Sequence, residues 1–130
     1  MTQRQLVDRL RPFLADLETR VEARAPGSSG GISEGTVKRR GDAWSQLTLE
    51  FIPSGGADLV WVMVYARAED PFLVALAEFG REDRVLGEFA PPPAPLEGDP
   101  AAAGALADSV GAFLLAQEER IVGEFTQPGR

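Results

Sequence analysis

The 130-residue sequence contains no cysteine and no histidine. Disulfides, thiolate nucleophiles, cysteine–histidine zinc sites and every imidazole-dependent triad are therefore excluded. Lysine and tyrosine occur once each, as Lys38 and Tyr65. Acid–base chemistry would fall to carboxylates, arginines or those two side chains, so catalysis is the weaker expectation. Long apolar runs are missing as well. The longest, Leu59 to Ala66, has eight residues and is too short to span a bilayer. Arg4, Asp8, Arg9 and Arg11 interrupt the start of the chain, where a signal peptide needs an apolar stretch. A cytoplasmic protein with no membrane contact is expected. Twelve arginines against one lysine, with abundant alanine and glycine, point to a GC-rich bacterial genome.

What is present is an ordinary globular mixture, 44% hydrophobic and 25% charged. The length fits a single domain spanning residues 1–130 that needs no metal or crosslink to fold. The net charge of −7 is uneven. Residues 1–65 carry eight basic and eight acidic groups, whereas residues 66–130 carry five basic and twelve acidic ones. This field repels nucleic acid and anionic lipid and favours a basic partner.

Hydrophobic periodicity gives the order of elements. Leu6, Leu10, Phe13, Leu14, Leu17 and Val21 recur at steps of three and four, which predicts an amphipathic helix over Thr2 to Arg24 capped by Thr2. Pro12 lies inside it and predicts a kink or break near Leu10–Arg11. After a Pro/Gly/Ser connection, Ile32 to Arg39 is a weak strand and Ala43 to Ile52 a strong one, with Leu47, Leu49 and Phe51 alternating against Gln46, Thr48 and Glu50. Pro53 to Ala57 reads as a loop, and Leu59 to Arg67 as the strongest strand. Asp70 to Gly80 fits a helix or a strand, and the strand is favoured because Phe72, Val74 and Leu76 alternate. Arg84 to Phe89 would be its return strand. Ala90 to Pro95, with four prolines, would be a stiff connector. Asp99–Pro100 starts a final helix whose stripe is Leu106, Val110, Phe113, Leu114 and Ile121. Gln117 falls on that stripe, where its amide is expected to reach water, and Gly104 and Gly111 point to a close approach to the sheet. Residues 127–130 read as a loose tail. The resulting fold class is α+β: an N-terminal helix, about five antiparallel strands and a C-terminal helix.

The two strongest strands should form a hairpin. Placing Phe51 opposite Leu59 sets Leu49 against Trp61 and Leu47 against Met63 on the core face, with Val62 and Val64 beside Thr48 and Gln46 on the other. A one-residue slip would exchange the two sets. In either register the third strand is apolar on both sides, and its second side needs a cover.

The motifs are weak. Gly27, Gly30–Gly31 and Gly55–Gly56 lack the setting of a phosphate loop. Lys38–Arg39–Arg40 reads as protection of a sheet edge rather than a nucleic-acid patch, and Arg40–Gly41–Asp42 as a turn. Glu69–Asp70, Glu82–Asp83 and Glu118–Glu119 are neighbouring carboxylates without a predicted pocket. No motif calls for a cofactor or metal, and no catalytic residue is assigned. The function expected is a non-catalytic acidic protein-binding domain, such as an immunity-type inhibitor or a dedicated chaperone of a basic partner. Trp44, Thr48, Glu50, Trp61 and Tyr65 are its candidate contact residues. The alternative is an apolar-ligand binder with a cavity between sheet and C-terminal helix, lined by Trp61, Met63, Tyr65 and Phe113. A homodimer is compatible with both.

Overall fold

A computed structural model describes residues 2–25, 28–53, 59–96 and 99–126. The expected Gly27 turn, the loop around Gly55–Gly56 and the tail at 127–130 lie outside the described residues. Helix α1 (Gln3–Arg24) begins with a capping box: the Thr2 hydroxyl accepts from the Gln5 backbone, and the Gln5 side chain accepts from the Thr2 backbone. It continues unbroken through the exposed Pro12, so the expected break is not there. A meander follows: β1 (Ser28–Arg39), β2 (Asp42–Pro53), β3 (Val60–Glu69), β4 (Phe72–Arg81) and β5 (Arg84–Phe89). These strands pair antiparallel in sequence order. The proline-rich connector adds a two-residue strand, β6 (Ala94–Pro95), on β4. The final helix is split into α2 (Pro100–Ala116) and α3 (Glu118–Thr126), with Asp99 capping α2 through its carboxylate.

The segment expected at Asp70 to Gly80 is a strand from Phe72 on, after a turn at Asp70–Pro71, because its alternating residues serve two faces: Leu73, Ala75, Ala77 and Phe79 are buried, while Val74 and Leu76 are half-buried opposite them. The β1–β2 turn is Arg40–Gly41, both at positive φ (53° and 85°), a two-residue turn whose twist suits a hairpin.

The core lies between one face of the sheet and the helices. Leu6, Leu10, Leu14, Leu17 and Val21 of α1, and Leu106, Val110 and Leu114 of α2, pack on Leu47, Leu49, Phe51, Val60, Val62, Val64 and Phe79. This corrects the expected hairpin register. Phe51 pairs with Val60, Leu49 with Val62 and Leu47 with Val64, so Trp61, Met63 and Tyr65 turn away from the core. Leucines of the helices already fill the core layer, and the middle strands answer with valines and alanines. Trp61 and Tyr65 also carry polar tips that need partners, which the other side supplies.

The last helix differs in two further ways. Gln117 is buried, not solvated: its amide nitrogen donates to Phe113 O at 3.1 Å, and its backbone N–H bonds to Leu114 O, three residues back, where the helix breaks. Gly111 admits the Phe13 ring of α1 rather than the sheet, since a Cβ there would fall 2.5 Å from that ring. No helix among the described residues is long and apolar enough to cross a membrane.

Candidate functional site

Among the described residues, the three helices lie on one side of the sheet and its other side carries none. Register assigns residues to this helix-free face strand by strand: Val37 and Arg39 from β1, Trp44 to Ile52 at even positions from β2, Trp61 to Arg67 at odd positions from β3, Phe72 to Gly80 at even positions from β4, and Val85 and Glu88 from β5. The shifted register therefore brings Trp44, Thr48, Glu50, Trp61 and Tyr65 onto one face. Phe113 does not join Trp61, Met63 and Tyr65. It stacks on Phe89 on the helix side, with ring centroids 5.4 Å apart, so a cavity lined by all four is not formed.

The middle of this face is closed by its own side chains. Trp61, Tyr65, Thr48 and Glu78 are each less than a tenth exposed. The Trp61 ring lies over Gly80, where a Cβ would fall 2.2 Å from it, and its indole N–H donates to Glu82 O at 2.7 Å. Tyr65 donates its hydroxyl to Met63 Sδ at 3.1 Å and meets Trp44 edge-on at 6.4 Å. Gln46 donates to Thr48 Oγ1 at 2.9 Å. Arg39 reaches from the edge strand across the Tyr65 ring, 4.5 Å from its centroid, to Glu78 at 3.1 Å. Burial, with the Glu78 carboxylate next in weight, pushes the Tyr65 phenol up to about 12, against the opposing pull of Arg39. Tyr65 is thus a neutral donor across the physiological range. Glu50 sits half-buried opposite Trp61 without an ion pair among the described residues.

The ends of the face are open. Ile52, Phe72 and Val85 are the large apolar side chains left exposed among the described residues, at 65%, 46% and 51%, and all three belong to this face. Alternation put Phe72 on a strand face, but periodicity did not mark any of the three as exposed, because exposure depends on what covers each strand end. Near the β1–β2 turn a cleft of about 570 Å³ opens over Trp44, Val74 and Leu76, with Arg39, Arg40, Asp42 and Glu88 at its rim. Arg67 ties Asp42 to the sheet at 2.8 Å, whereas Arg40 and Glu88 make no ion pair among the described residues. The indole N–H of Trp44 is buried without a hydrogen-bond partner.

The sequence's carboxylate pairs do not converge on a site. Glu118 and Glu119 are bound by Arg24 at 2.6 and 2.7 Å, and Glu82 accepts the Leu59 backbone N–H at 2.7 Å. No group of three or more carboxylates among the described residues is arranged to hold a metal ion. The face offers apolar contact area at its ends and charges at the rim of the cleft. No protein-family model, no curated protein and no solved structure matches this chain.

Proposed function

We propose that this protein is a non-catalytic binding domain that docks a partner protein on the helix-free face of its sheet. One observation carries this reading: Ile52, Phe72 and Val85, the exposed large apolar side chains among the described residues, share that face with both tryptophans. Aromatic anchors ringed by apolar and charged residues are the usual composition of a protein interface. The net charge of −7, with Glu50 and Glu88 on the face and without an ion pair among the described residues, favours a partner with a basic surface. An inhibitor of the immunity type or a dedicated chaperone would act this way, by covering its target. The test is quantitative co-purification from the source cells with tagged wild type and with Ile52→Ser/Phe72→Ser/Val85→Ser. A stoichiometric basic partner, lost with the variant and weakened by salt, is the expected result. Absence of such a partner, or its retention by the variant, refutes the proposal.

The cleft beside Trp44 supports a second reading, a small-molecule binder. Its volume of about 570 Å³ falls in the range of ligand pockets, and Arg40 and Glu88 flank an apolar floor. A ligand held there would alter Trp44 emission and raise the melting temperature. A protein partner covering the wider face would be abolished by the triple serine variant.

A further inference from the structure

The two edges of the sheet are unlike. Beyond β5 the chain runs through Pro91, Pro92, Pro93 and Pro95, and Arg120 of α3 caps the Leu86 carbonyl at 3.0 Å. That edge is short and blunted. The β1 edge is twelve residues long, contains no proline and pairs with β2 without a bulge.

The two-residue turn makes Arg39 and Asp42 the first hydrogen-bonded pair. Odd-numbered residues of β1 therefore bond to β2, and the backbone groups of Ile32, Glu34, Thr36 and Lys38 turn outward. Gly30 follows the same parity. Its outward N–H is taken by the Glu22 carboxylate at 2.8 Å, which stands where the carbonyl of a further strand would be.

Charge along this edge is polarised. At the Gly30 end hang Glu18 and Glu22 of α1, neither with an ion pair among the described residues, and Glu18 packs directly over Gly30. Burial and the nearby Glu22 charge raise the Glu18 pKa, as expected of uncompensated acids. At the other end Lys38 and Arg40 are exposed and equally unpaired. Between them Glu34 is held by Arg4 and Arg11 of α1. Side chains of Gly30, Glu34 and Lys38 positions all lie on the α1 side of the sheet.

We infer that β1 is a self-complementary dimer edge: a second copy of this chain adds its own β1 antiparallel, about a two-fold axis at Glu34. The antiparallel sense sets Lys38 of the second copy opposite Gly30, on the face where Glu18 and Glu22 wait, and the symmetry repeats the match at the other end. Glu22 exchanges the Gly30 N–H for the incoming ammonium, and the Lys38 carbonyl takes the N–H. The four flanking arginines neutralise the two Glu34 carboxylates at the axis. This interface is independent of the helix-free face.

Sedimentation equilibrium of the full chain tests it. Wild type is expected to dimerise reversibly, more weakly at high salt. Thr36→Pro places proline where the N–H points outward, sparing the β1–β2 ladder, and is expected to be monomeric. Lys38→Glu, an exposed change that does not threaten folding, should raise the dimer dissociation constant about ten-fold, since two cross-strand pairs are reversed. Adding Glu18→Lys and Glu22→Lys to it should restore dimerisation. A wild type that stays monomeric over its soluble range overturns the inference. So does a dimer indifferent to both Thr36→Pro and Lys38→Glu. Loss of dimer in Ile52→Ser/Phe72→Ser/Val85→Ser alone would instead place self-association on the helix-free face.

Discussion

Tyr65 is the chain's single tyrosine, so its titration can be read without interference. Tyrosinate absorbance should develop with a midpoint of about 12 in the folded protein, against an unfolded value near 10. A pKa raised by folding contributes stability that is fully present below the unfolded value. That contribution is lost as pH climbs from about 10 to about 12. Glu78→Gln should lower the midpoint, because the Glu78 charge helps to raise it, and Arg39→Gln should raise it further. A midpoint near 10 in folded wild type would mean the phenol is in water. Gly80 gives a second test at this scale. Ala at that position would drive its Cβ into the Trp61 ring and to 2.3 Å from Arg84 O, backbone that cannot step aside. Gly80→Ala is expected to cost about 1–3 kcal/mol in denaturant unfolding, and to shift tryptophan emission. Neither environment was legible in the sequence. The expected register put Trp61 on the core face, since large aromatics bury most area, but the chain uses the polar tips of Trp61 and Tyr65 to finish the opposite face.

Arg24 joins two elements that are distant in sequence. It closes on Glu118 and Glu119, at the first turn of α3, from the last turn of α1. Carboxylates at a helix start and an arginine at a helix end each suit the helix dipole. The Arg24 hydrogen bond holds the Glu119 carboxyl below its ordinary value. The sign follows: this tether is intact at neutral pH and is lost as pH falls through the depressed pKa. Arg24→Ala is expected to change global stability little, since Arg24 and Glu119 are solvent-exposed. Amide exchange in α3 should nevertheless rise, and the acid-dependent fraying of α3 should disappear. Unchanged exchange would show that α3 is held without Arg24, by its other anchors such as buried Ile121 and the Arg81–Glu124 and Arg120–Leu86 contacts. At this scale the sequence was informative. Periodicity located α1, β2, β3 and α2, and alternation at Phe72, Val74 and Leu76 correctly separated β4 from a helix. The break at Gln117 was missed because the apolar stripe runs on to Ile121. The signal was Glu118–Glu119, a fresh acidic helix start. The β2–β3 register was missed because both sides of β3 are apolar, so alternation alone could not choose between them.

The molecule as a whole is a two-layer sandwich with one layer of helices, and its stability should be distributed accordingly. Leu10→Ala, in the packed layer, is expected to cost about 2–5 kcal/mol. The changes Ile52→Ser, Phe72→Ser and Val85→Ser remove side chains that are roughly half in water. Each should alter unfolding free energy by no more than about 0.5 kcal/mol. The triple variant should therefore lose no more than about 1.5 kcal/mol and gain solubility. A large loss of stability would assign those residues to the fold and leave the open face without purpose. Fold class was legible because helix and strand periods are distinct. The identity of what the open face meets was not, because recognition depends on the shape and charge of a second molecule, and one chain encodes only half of it.

Both tryptophans, Trp44 and Trp61, stand on the same side of the sheet, and the helical layer holds none. Intrinsic emission is therefore a label confined to one flank of the protein. Spectral change on mixing with any candidate reports engagement there without a dye or a tag, while association along the β1 edge can proceed in optical silence.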